Sequence, residues 1–173
     1  MGQLLSAAVL VSFVAGALAF NVAESTPEFT RDTIEIGLVV EDVEETMKFY
    51  TDVIGMQRTG GFSIDKDFGK RSGLSGGEPF EVNIMKVKDS PASTELKIVG
   101  FPNSTKAKDS DHIQDRIGLQ YITIYVESLD PHLEKIRAHK IKLLGDTPIS
   151  LPDGRRFLMV RDPNGVFVEL IGN

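Results

Sequence analysis

The stretch EIGLVVEDVEETMKFY, residues 35–50, changes its hydrophobic period halfway along. Ile34 to Val40 is rich in β-branched residues and reads as a strand, which Glu41-Asp42 ends. Beyond it Val43, Met47, Tyr50 and Ile54 recur at spacings of 4, 3 and 4, the buried stripe of a helix. Asp42 is placed to cap that helix, Glu45 stands in capping-box position, and Gly55 stops it. The grammar returns 86 residues later in YITIYVESLDPHLEKI, residues 121–136. There Leu119 to Val126 reads as the strand, Asp130 as the cap and Pro131 as the first helical residue, with Leu133, Ile136 and the stem of Lys140 facing inward.

Each start is followed by strands. After the first, a short strand near Met56–Thr59 leads into a Gly-rich loop, Gly60 to Pro79, and then strands at 80–88 and 94–99. After the second, strands are expected at 141–144, 155–161 and 166–171, with Pro152-Asp153-Gly154 and Asp162-Pro163-Asn164-Gly165 as turns. Glu95-Leu96 closes the first unit as Glu169-Leu170 closes the second. The fold class expected is therefore α+β, two βαβββ units at about 33–100 and 118–172 within one domain over 33–172, separated by a polar connection.

With 41% hydrophobic and 25% charged residues, the 173-residue chain can fill one core but not two large ones. A net charge of −6 argues against nucleic acid as a partner, and the basic run Lys135 to Lys142 reads as a solvated face. The absence of cysteine removes disulfides, thiolate nucleophiles and sulfur-ligated metals together. Ser72 and Ser75 have no matched base and acid, which leaves out serine-hydrolase chemistry.

Leu4 to Ala19 carries no charge and ends in Ala17-Leu18-Ala19, a small-x-small processing pattern. It reads as a signal peptide over 1–19, followed by a polar arm over 20–32 and a secreted or periplasmic mature protein. The alternative is a membrane anchor through residues 4–20, since about 17 apolar residues reach the lower limit of a span. On export to a eukaryotic surface, Asn103-Ser104-Thr105 becomes a glycosylation acceptor.

The segments GLVVEDVEETMKFYTDVIGM (37–56), with its Phe49-Tyr50 pair and closing Gly55, and LPDGRRFLMVRDPNGVFVELIG (151–172) together resemble the glyoxalase, bleomycin-resistance and extradiol-dioxygenase superfamily, also called vicinal oxygen chelate proteins. The resemblance implies paired βαβββ modules that curl a mixed sheet around a cleft. It implies a small-molecule ligand, and a homodimer in those members that complete the cleft across an interface. In metal-dependent members the ligands come from the first and last strand of each module, which here implies Glu35, Glu95, Tyr121 and Glu169. Glu35 and Glu169 are then the candidate catalytic groups of a lyase or isomerase acting on a small oxygenated metabolite.

Two departures bear on that reading. Histidine is frequent in the family where this chain has Glu35 and Tyr121, and an oxygen-only set suits magnesium or manganese better than zinc. The resemblance equally admits a cleft without any metal, as in a binding or sequestering protein of the bleomycin-resistance type. None of the histidines, His112, His132 and His139, falls on a ligand position, and His112 sits among Asp109, Asp111 and Asp115 in a connector that reads as solvated. Phe62, Phe68, Lys70 and Arg71, in the expected loop, are candidate contacts for an organic anion.

Overall fold

The computed structural model describes residues 29–105 and 110–173. The expected signal peptide over 1–19, most of the arm over 20–32, the alternative anchor over 4–20 and Asp109 lie outside the described residues. The units below belong to the body from Arg31 to Asn173.

Strand β1 (Glu35–Val40) leads into helix α1 (Val43–Lys48), whose last turns widen to π geometry over Phe49–Ile54. The Asp42 carboxylate accepts from the Glu45 amide at 2.9 Å, so the expected cap forms. Gly55 ends the helix with φ 88°, a left-handed value that favours glycine. Strands β2 (Gln57–Ile64), β3 (Phe80–Lys86) and β4 (Glu95–Gly100) follow, with the short helix α2 (Lys66–Arg71) between β2 and β3. The second unit comprises β5 (Tyr121–Tyr125), α3 (Asp130–Ala138), β6 (Ile149–Ser150), β7 (Arg156–Arg161) and β8 (Phe167–Gly172). Each unit is a mixed four-stranded sheet, in the orders β1-β4-β3-β2 and β5-β8-β7-β6, with β1–β4 and β5–β8 parallel.

Three expectations are corrected. The expected loop from Gly60 to Pro79 contains most of β2 and all of α2, and a register shift between Arg58 and Gly60 is what disturbs the alternation there. Residues 141–144 are not a strand; the Leu144 amide alone reaches the sheet, donating to the Met159 carbonyl, and the pairing strand is the short β6. Asp130 is the first residue of α3 and not its cap, which is Leu129, and its carboxylate pairs with Arg156 at 2.8 Å.

One face of each sheet packs on the helices. Ile36, Leu38 and Val40 of β1 join Leu96 and Ile98 of β4 against Met47, Tyr50 and Val53, and Val168 and Leu170 do the same against Leu133 and Ile136. These side chains form one continuous core. The units are clasped through the turn after β7. The Tyr50 hydroxyl donates to Asp162 at 3.1 Å, the Asn164 side-chain nitrogen donates to the Thr46 hydroxyl at 2.8 Å, and the Asn164 side-chain oxygen accepts from the Glu41 backbone amide at 3.0 Å. The second unit's DPNG turn thus holds the first unit's helix; on the opposite face of the sheets Val82, Val99 and Phe167 are buried, whereas Glu35 and Tyr121 are exposed and Lys97 and Glu169 half-buried.

Candidate functional site

Period-2 alternation decides what stands on the open faces. Along β1 and β4 the directly paired residues are Glu35 with Glu95, Gly37 with Lys97, and Val39 with Val99. Along β5 and β8 they are Tyr121 with Phe167, Thr123 with Glu169, and Tyr125 with Ile171. Matching β1 to β5 therefore sets Glu95 against Phe167, and Lys97 against Glu169. The ends of the two units do not correspond as Glu95-Leu96 to Glu169-Leu170; they are displaced by two residues, one rung or roughly 6.6 Å along the sheet.

The first open face is a ladder of alternating charge. Lys97 Nζ contacts a Glu35 oxygen, Arg31 reaches the other at 2.8 Å, and Lys86 Nζ lies 3.1 Å from Glu95. The Lys97 contact first, and Arg31 after it, holds the Glu35 carboxyl below its ordinary value against a smaller upward push from burial. The Lys97 ammonium also lies 5.5 Å from the centre of the Phe62 ring, which β2 presents on the same face. Sequence reading passed over Lys86 and Lys97, although Lys97 stands two residues from Glu95 and so shares its face.

The second open face differs. Glu169 accepts a hydrogen bond from the Thr123 hydroxyl at 2.5 Å and has no ion pair among the described residues. Tyr121 stands one rung away on β5, 45% exposed, and Tyr125, 67% exposed, lies under the Arg155 guanidinium at 5.4 Å. An apolar groove of about 730 Å³ runs from Ile34 and Ile36 to Leu119, Tyr121 and Tyr125, beside the free edges of β1 and β5.

The four expected metal ligands thus divide into Glu35 with Glu95 on one sheet and Tyr121 with Glu169 on the other. No group of three His, Cys, Asp or Glu side chains able to hold an ion occurs among the described residues. The donor set does not fit a divalent ion: two of its carboxylates already hold lysine ammoniums, and Tyr121 and Glu169 are on different rungs. His132 is half-buried on α3, where burial pulls its imidazole below the ordinary value against a backbone hydrogen bond to Val53. His112 lies 3.8 Å from Asp115 in the connector.

Of the other expected contacts, Phe62 faces Lys97, whereas Phe68, Lys70 and Arg71 ride on α2. Phe68 and Arg71 line a separate hollow with Asp65, Asp67 and Ser72, and Arg71 is paired with Asp67 at 3.2 Å.

Residues 33–170 match the family model described as Glyoxalase/Bleomycin resistance protein/Dioxygenase superfamily. No curated protein matches the sequence. Among solved structures the chain is similar to a glyoxalase family protein from Bacillus cereus, with a TM-score of 0.70 and 19% identity over 87% of this chain and 98% of that one. It is also similar to the trypanothione-dependent glyoxalase I of Leishmania major, with a TM-score of 0.58 and 21% identity over 83% and 87% of the two chains. A third similar structure is the fosfomycin resistance protein FosX of Listeria monocytogenes, with a TM-score of 0.50 and 16% identity over 80% and 90%. At such identities the likeness speaks for the fold alone, and it agrees with two four-stranded mixed sheets that do not close. With the family model spanning both units, the chain belongs to the Glyoxalase/Bleomycin resistance protein/Dioxygenase superfamily.

Proposed function

We propose that this protein binds a small organic molecule on the open faces of its two sheets, without a divalent metal. The observation that carries the reading is the closure of Glu35 by Lys97 and of Glu95 by Lys86. A carboxylate engaged by an ammonium is a poor metal donor, and the Lys97 and Arg31 contacts that hold Glu35 below its ordinary value make it a weaker base toward a substrate proton. Aromatic surface for a ligand remains in Phe62, Tyr121 and Tyr125, each of them partly exposed.

A second reading is a glyoxalase-like lyase or isomerase in which Glu169 moves the proton. Its favouring observation is that Glu169, unlike Glu35 and Glu95, has a hydroxyl and no cation for a partner among the described residues. We further propose a homodimer, since β1 and β5 both present free edges beside exposed Ile34, Val39 and Leu119, an arrangement that a second copy would cover. Export of a mature protein from about Phe20 belongs to the same proposal, on the uncharged run and its Ala17-Leu18-Ala19 end.

Native mass spectrometry of protein recovered from its host, against a metabolite panel with and without EDTA, reads all of these at once. The expected spectrum shows a dimer lacking residues 1–19 and carrying adducts that EDTA leaves intact and that do not turn over. Turnover of a panel member, lost in Glu169→Gln, would establish the lyase reading in place of binding. Adducts that vanish with EDTA would reject the metal-free site.

A further inference from the structure

Resting on the binding reading above, we propose that Lys97 is the anchoring cation of the cleft, and that with Phe62 it forms a subsite for a small aromatic carboxylate. Its ammonium has three N–H donors, and among the described residues its recorded partners are Glu35 and the Phe62 ring. The Lys97 side chain is 27% exposed, enough to be reached and little enough that its charge is less screened than on an open surface. Along the ladder, Arg31, Lys97 and Lys86 stand against Glu35 and Glu95, which leaves one positive charge in excess. That excess matches a monoanion. A dianion would bring a second negative charge against two flanking carboxylates, and a neutral ligand would leave the excess unanswered.

The apolar half of the subsite is on the same face. Phe62 is 43% exposed, and Val39 on β1 is 54% exposed. A flat ring can lie against Phe62 in offset or edge contact while its carboxylate accepts from Lys97. Gly37, paired with Lys97 across β1 and β4, has no atom beyond its chain neighbours within 4 Å of where a Cβ would stand, so the face is open over the residue that pairs with Lys97. The protein's own ammonium supplies the positive charge here.

The test is calorimetric titration of the EDTA-treated full chain with benzoate, and with benzyl alcohol as its uncharged counterpart. Benzoate is expected to bind wild type at least about tenfold more tightly than benzyl alcohol, the scale of a charge-assisted hydrogen bond. Lys97→Met is expected to remove that preference, and Lys97→Arg, which keeps the charge, to restore it within about threefold. If Lys97→Met does not fold, as judged by circular dichroism, Lys97→Gln takes its place, with the same expected loss of the preference. Equal binding of the two compounds, loss of the preference in Lys97→Arg, its survival in a folded Lys97→Met, or benzoate binding only after manganese is added would overturn the proposal. Binding of neutral panel members without benzoate would overturn this inference alone, whereas a cleft that takes no panel member would overturn the binding reading as well.

Discussion

Asp162→Ala is expected to lower the unfolding free energy by about 3–4 kcal/mol, because three donors lose their acceptor at a nearly dry site. The Asp162 carboxylate accepts from the Asn164 amide at 2.9 Å, the Val166 amide at 2.8 Å and the Tyr50 hydroxyl at 3.1 Å. Asp162 is 5% exposed and Tyr50 fully buried, so water cannot replace all three bonds without opening the clasp between the units. For a domain of this size the change corresponds to a midpoint lower by roughly 10 °C. Tyr50→Phe, which deletes only one donor, is expected to cost about 1–2 kcal/mol.

The same carboxylate carries a pH signature. Burial raises Asp162 above its ordinary value, outweighing the hydrogen bonds from Val166, Asn164 and Tyr50 that lower it. The folded state then holds this proton more tightly than the unfolded chain. Its contribution to stability is complete below the unfolded value and is lost as pH rises through the folded one. Asp162→Asn keeps an oxygen for the two amides and removes the charge. Denaturant titrations of wild type and Asp162→Asn across the acid range should therefore show wild type losing stability, relative to the variant, as pH rises. An Asp162→Ala cost under about 1 kcal/mol would show that the clasp is not what holds the units, and parallel pH profiles would show that burial does not hold Asp162 above its ordinary value.

Gly172→Ala is expected to destabilise by about 2–3 kcal/mol, against the usual preference for alanine over glycine within a strand. A Cβ there would stand 2.5 Å from the Val126 carbonyl oxygen and 2.8 Å from its Cγ2. The obstacle is backbone, and it is fixed because the Val126 amide donates to the Ile171 carbonyl at 2.9 Å. Relief requires the end of β8 to part from the chain leaving β5. Gly37→Ala is the internal control: with nothing within 4 Å of its Cβ position, it should be neutral or slightly stabilising. Equal midpoints for the two variants in thermal unfolding would remove the crowding argument. Gly100, at the matching place on β4, would put its Cβ 2.8 Å from Val43 Cγ2 and 3.7 Å from the Val40 carbonyl oxygen. The repeat is thus written in steric detail at the ends of β4 and β8.

That detail shows why the fold was more legible than the site. Helix α1 and its cap were readable because Met47, Tyr50 and Ile54 are buried, and Val43 partly buried, for a local, periodic reason. Only the start of β2 was readable, as the short strand near Met56–Thr59, because its Gly60-Gly61 pair and the shift beside Arg58 break the alternation that marks a strand. The unit ends were aligned on the shared Glu-Leu letters, whereas pairing with β1 and β5 aligns Gly100 with Gly172 and sets Lys97 against Glu169. A two-residue displacement keeps every side chain on its original face, so hydrophobic pattern alone cannot detect it. Long-range partners were equally hidden: nothing local to Asp162 announces Tyr50, and nothing local to Glu35 announces Lys97.

Manganese titration of the EDTA-treated protein, followed by the electron paramagnetic resonance of the free ion, tests the metal-free site most directly. Lys97 and Lys86 already occupy Glu35 and Glu95, so the free-ion signal should rise in proportion to added manganese, with no stoichiometric site, and Glu35→Gln should give the same line. Uptake of one manganese per chain by wild type, abolished in both Glu35→Gln and Glu169→Gln, would contradict the account and restore a metal centre spanning the two sheets.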